Sequence, residues 1–162
     1  MKTSVTYKIA LALCCGLALA ACSKKTTPDL EAGMNQAAPG SEQDFTTNVG
    51  VRVFFAQDQS TLSPEAQETL RKQASWLKQY GSVTIQVEGH ADERGTREYN
   101  IALSARRATA TREFLIAQGI DAKRISSIAY GKERPVALCD AEQCWSQNRR
   151  AVTVITGGAR TS

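Results

Sequence analysis

From Val83 to Glu88 the chain alternates strictly, with Val83, Ile85 and Val87 apolar and Thr84, Gln86 and Glu88 polar. A period of two puts the apolar side chains on one face, so the segment is predicted to be a half-buried strand. Helical spacing flanks it on both sides. Upstream, Ser63 followed by Pro64 is a helix start: a hydroxyl that can cap free N–H groups, then a proline whose fixed φ suits the first turn. Ala66, Leu70, Ala74 and Leu77 then recur at helical intervals, and Gly81 ends the run. Downstream, a second helix is predicted from Glu98 to Gln118, stopped by Gly119. Val51 to Phe55 reads as a first strand, Ile125 to Tyr130 as a third and Ala151 to Ile155 as a last, with Gly131 to Trp145 as a loop. The order is βαβαββ. It predicts an α/β (α+β) two-layer sandwich, with helices packed on one small mixed sheet and no internal repeat.

The folding unit is therefore expected over residues 49–157, with a loose Gly-containing tail at 158–162. What precedes it is different in kind. Lys2 and Lys8 give a positive start, and an apolar run from Ile9 to Ala21 follows. That run is shorter than the roughly 20 residues a spanning helix needs, and it suits a removable export signal, here residues 1–21. Leu19-Ala20-Ala21-Cys22 ends it and resembles the lipobox of bacterial lipoproteins. The resemblance implies that Cys22 carries lipid and becomes the first residue of the mature chain. Ser23 at the next position implies an outer-membrane address. Plain secretion with a chance cysteine is the alternative. One acyl chain binds a membrane only marginally, so lasting attachment needs several. Residues 22–48 hold Ser, Thr, Pro, Gly, Asn and Gln without period, which predicts a flexible tether. About 25 residues reach roughly 80 Å when fully extended.

Removing the signal takes Lys2 and Lys8, so the formal charge falls from +4 to +2. A nucleic-acid binder would show a stronger basic patch. Of five cysteines, Cys14 and Cys15 leave with the signal and Cys22 is the lipidation candidate. Cys139 and Cys144 reach an oxidising compartment, where a disulfide across that short loop is the preferred reading. A structural zinc would need four ligands, and His90 is the only histidine. A redox pair is more often Cys-x-x-Cys. No cofactor is expected.

The chemistry gathers in Gly89-His90-Ala91-Asp92-Glu93-Arg94-Gly95, the turn between the alternating strand and the second helix. Turns at strand ends are where a rigid scaffold commonly holds binding groups. The helix that follows is expected to bury Tyr99, Leu103, Ala110, Phe114 and Ala117, and Arg107 falls on the same stripe. A desolvated arginine needs a partner. Either it makes an internal salt bridge to Asp92 or Glu88, or it shares a pocket with Asp92. A pocket with one positive and one negative group would suit a zwitterion, such as an amino acid head group.

The stretch VEGHADERGTREYNIALSARRA, Val87 to Ala108, closely resembles the peptidoglycan-binding core of the OmpA C-terminal-like domain family. The likeness continues through Ile128-Ala129-Tyr130-Gly131-Lys132-Glu133-Arg134-Pro135 and Asn148-Arg149-Arg150-Ala151-Val152. It implies a peptidoglycan ligand, the meso-diaminopimelate of the stem peptide, whose free end carries an ammonium and a carboxylate. By the same resemblance Asp92 takes the ammonium and Arg107 the carboxylate. Asn100 and Leu103 line the site, Leu103 being equally readable as core. Asp58 approaches from the loop after the first strand, and Asn148 and Arg149 form the C-terminal rim. Arg106 reads as a solvated neighbour. Ala56 stands where relatives often have Asp or Asn, which removes any contact from that side chain. Lipoprotein members of the family imply a role in the Tol system, with TolB as partner, in envelope integrity and cell division.

The competing reading is a peptidoglycan hydrolase using His90, Asp92 and Glu93. A single histidine and adjacent carboxylates, which would not flank a scissile bond, count against it. A flagellar-stator or porin-type relative would need an uncleaved spanning helix or a β-barrel, and the lipobox-like site argues for neither.

Overall fold

The computed structural model describes residues 37–161. The expected signal, Cys22 and the first part of the expected tether lie outside the described residues. Ser41 caps a short helix, α1 (Glu42–Asp44), which continues as a π-helical turn over Phe45–Val49. Then follow β1 (Arg52–Phe54), α2 (Pro64–Gln79), β2 (Thr84–Gly89) and α3 (Arg97–Ala117). A 3-10 turn at Ala122–Arg124 leads into β3 (Ile125–Ala129), α4 (Glu142–Asn148) and β4 (Arg150–Gly157).

The four strands form one sheet in the order β1-β4-β2-β3. β4 is antiparallel to both of its neighbours, and β3 runs parallel to β2. The predicted alternation holds in β2, where Ile85, Val87 and Gly89 are buried and Thr84, Gln86 and Glu88 are half-buried. α2 begins where the Ser63-Pro64 pair places it, with Ser63 Oγ accepting from Ala66 N. Leu70, Leu77, Val83, Ile85, Val87, Leu115 and Ile125 join α2 and α3 to the sheet in one core. Each large apolar side chain so buried contributes about 1.5–3 kcal/mol. Gly89 lets α3 approach the end of β2, because a Cβ there would collide with the carbonyl oxygen of Ser104.

Four expectations need correction. The folded region begins before residue 49: Phe45 is buried against Trp76, their ring centroids 4.7 Å apart. One aromatic in a polar stretch has no period to read, yet it anchors that stretch to the core. The segment after residue 157 is not loose over its described part. Arg160 N donates to Gly40 O at 3.0 Å, and Ala159 packs on the core. The loop expected up to Trp145 ends earlier, because α4 starts at Glu142.

The buried face of α3 also differs from the expected stripe. It comprises Asn100, Leu103, Ser104, Arg107, Ala108, Thr111 and Leu115. Tyr99 is 43% exposed and Ala117 is exposed. Much of that face is polar, so hydrophobic spacing locates it imperfectly. Leu103 and Arg107 keep the places the spacing assigned them.

Candidate binding site

The C-terminal ends of β1 and β2 and the N-terminal end of β4 meet at one edge of the sheet, since Phe54 pairs with Arg150 and Gly89 with Ala151. The loops leaving these ends enclose a cleft of about 470 Å³ lined by Gln57, Asp58, Arg94, Gly95, Thr96 and Tyr99. Asp58 has a positive φ of 54°, a left-handed turn residue of the kind aspartate tolerates. Its Oδ1 accepts from the Tyr99 hydroxyl at 3.3 Å.

Asp92 lies at the base of these loops, only 7% exposed. Its carboxylate accepts from Arg94 N at 3.2 Å, Arg94 Nε at 3.3 Å and Arg94 Nη2 at 2.5 Å. Arg149 Nη1 adds a fourth bond at 3.4 Å. Burial by itself would raise its pKa, but the bonds from Arg94 and Arg149 outweigh burial and hold it below the ordinary aspartate value.

Arg107 is completely buried and makes no ion pair with Asp92 or Glu88 among the described residues. Its guanidinium instead donates to three backbone carbonyls: Nε to Gln59 at 2.8 Å, Nη1 to His90 at 2.9 Å and Nη2 to Ala56 at 3.2 Å. It also lies 5.2 Å over the Phe55 ring. One side chain thus ties the loop after β1 to the loop after β2. Burial lowers its pKa to about 10, against the raising influence of Asp92, and it stays charged at neutral pH.

The remaining expected residues divide by what they touch. Asn100 Nδ2 donates to Arg94 O at 2.7 Å and so fixes the turn that carries Arg94. Leu103 is buried beneath. Arg149 donates from Nε to Phe55 O at 3.0 Å and reaches both Asp92 and the carboxylate of Glu142. Asn148 is buried, and its amide is engaged by Val136 N, Ala137 N and Ala137 O, so it secures the loop before α4 rather than lining the cleft. Cys139 and Cys144 are joined by a disulfide that closes that loop, with Cα atoms 5.6 Å apart.

Sequence reasoning missed Arg94, Tyr99, Glu142 and Trp145. Trp145 Nε1 donates to Glu93 Oε1 at 2.7 Å, and the Arg94 guanidinium lies 4.1 Å over the Trp145 ring. An arginine two residues from an aspartate in one turn was the available signal for Arg94. Nothing local announces Trp145, which comes from a distant helix.

Asp92 and Glu93 are engaged separately, and the buried His90 ring nitrogens have no hydrogen-bond partner among the described residues. His90 is 2% exposed, and burial, reinforced by Arg150 and Arg134, lowers its pKa to about 4, so it is neutral at pH 7. Asp92 is held by two arginines and Glu93 by Trp145.

A helix-backed mixed sheet with a polar cleft over its strand ends, in which Asp92 and Glu93 are already engaged, has the form of a binding domain. The OmpA family matches residues 54–150, and the chain belongs to that family. Its relatives narrow the class further. The chain is 58% identical over 157 residues to the peptidoglycan-associated lipoprotein of Brucella melitensis, covering 94% of each. It is 55% identical over 154 residues to that of Mesorhizobium japonicum, covering 92% of each. The crystal structure of the peptidoglycan-associated lipoprotein from Burkholderia pseudomallei superposes with a TM-score of 0.64 at 39% identity, covering 65% of this chain and 90% of that one. The C-terminal domain of Helicobacter pylori MotB shares the fold, with a TM-score of 0.62 at 20% identity.

Proposed function

We propose that this chain is a lipoprotein held in the outer membrane through Cys22, whose periplasmic domain binds peptidoglycan without cleaving it. The ligand group is the meso-diaminopimelate of the stem peptide, and the partner class is the Tol system, TolB included. The protein then joins membrane to wall in support of envelope integrity and cell division. Membership of the OmpA family and the names of the relatives support the coarse reading. One observation carries the ligand: a buried, ionised Asp92 beside a cleft, next to the buried cation Arg107. A diamino acid offers an ammonium for Asp92. Its carboxylate is assigned to Arg107, which has five N–H groups and three hydrogen bonds but is fully buried, so binding must open a path to it. Asn100, Leu103, Asp58 and Arg149 complete the proposed site, and Asn148 supports it through the loop it holds.

Charge-assisted bonds of this kind contribute about 1.5–3 kcal/mol each, so one site binds modestly and many tethered copies hold the wall. Asp92→Asn preserves shape and removes the charge. The variant should fold and should no longer co-sediment with purified peptidoglycan, as measured by pelleting with full-length protein in detergent. Retention equal to the parent would remove Asp92 from the site.

A further inference from the structure

We propose that Arg94 is a built-in stand-in for the ligand's cation, neutralising Asp92 until a ligand ammonium takes the carboxylate and then yielding it. The inference rests on the reading of the cleft given above. Both Asp92 oxygens are already engaged by Arg94, Oδ1 through N and Nε and Oδ2 through Nη2. No ammonium can reach that carboxylate at full strength unless the guanidinium moves away.

Arg94 is built to move without disturbing its loop. Its backbone is fixed by Asn100, which holds its carbonyl, and by Gly95, whose φ of 84° sets the turn. Its side chain, in contrast, is 31% exposed and lines the cleft. It also has somewhere to go. The face of Trp145 already lies under the guanidinium, and Trp145 is held by Glu93. The carboxylates of Asp92, Glu142 and Asp58 all favour the charged form of Arg94, so two anions remain near it when Asp92 is taken. Arg149 also pairs with Asp92 and Glu142, so Asp92 is not left without a cation when Arg94 yields. The event is therefore an exchange of one cation for another, with no change in the charge of the buried cluster. A ligand carrying only a carboxylate has nothing to exchange. This makes Arg94 a determinant of selectivity for ligands that bear an ammonium.

The test titrates full-length protein in detergent, by calorimetry, with a stem tripeptide ending in meso-diaminopimelate. Arg94→Gln removes the internal competitor while keeping a polar side chain. It should tighten the dissociation constant about three- to tenfold, the range expected for a partly exposed charge-assisted pair. In the parent, binding should change the fluorescence of Trp145 as the guanidinium shifts on its ring, and that change should vanish in Arg94→Gln and in Trp145→Phe. Trp145→Ala should weaken binding by removing the resting place, and Trp145→Phe should restore it. Weaker binding by Arg94→Gln, or unchanged Trp145 emission in the parent, overturns the exchange. Failure of the parent to bind the tripeptide overturns the peptidoglycan reading and this inference with it.

Discussion

Two buried arginines stand close to Asp92 and are neutralised in opposite ways. Arg149 is held by carboxylates, those of Asp92 and Glu142. Arg107 is held by the carbonyls of Gln59, His90 and Ala56 and keeps its net charge. Backbone dipoles can solvate a guanidinium without cancelling its charge, whereas a carboxylate cancels it. Arg107 therefore remains a buried cation with no direct carboxylate partner, near an anion already shared between Arg94 and Arg149. The Arg107 arrangement is a scaffold that holds charge in reserve. The Arg149 arrangement is an internal salt bridge that removes it.

The comparison is most easily broken at Arg107. Arg107→Met keeps bulk but strips three carbonyls of their buried donor, and should cost about 4 kcal/mol in urea denaturation. A loss below about 1 kcal/mol would mean that the loops do not depend on this clamp. The next effect is a pH dependence. His90 supplies one of those carbonyls, and its folded pKa of about 4 lies below the ordinary 6.5. The unfolded chain therefore takes up the proton first. The His90 contribution to stability is fully present above about pH 6.5, falls as pH drops, and amounts to a loss of about 3 kcal/mol once pH is below about 4. His90→Gln should flatten that limb in acid denaturation, and an unchanged limb would place the titration elsewhere. The smallest effect sharpens the contrast. Arg149→Met should cost about 2 kcal/mol, less than Arg107→Met, because Arg94 still holds Asp92 and Glu142 reaches solvent. The reverse order would invert the assignment of scaffold and salt bridge.

How far the sequence could be read follows from the same contrast. Periodicity located α2 and β2 well, because those elements bury apolar residues at regular spacing. It placed Arg107 on the inner face of α3 correctly. It did not show that the partners were carbonyls, because backbone acceptors leave no mark in a sequence. The charge density of the loop from Gly89 to Gly95 was legible, and the structure places its Arg94 and Gly95 in the lining of the cleft. Trp145 and Glu142 were not, because they join that loop only through tertiary packing. The order before residue 49 escaped for a related reason: Phe45 is a single aromatic in a polar stretch, and its packing against Trp76 is nonlocal.

The strand directions have a mechanical consequence. β4 starts at the cleft, beside Phe54 and Gly89, and ends at Gly157 beside Thr84. Past that far end, Arg160 meets Gly40 and Ser41, where the described chain enters the domain. Entry and cleft thus lie at opposite ends of a strand roughly 27 Å long. A pull between them runs along β4, parallel to the strands and across the hydrogen bonds to β1 and β2. The ladders are loaded in shear, many bonds at once, rather than peeled one at a time from an edge.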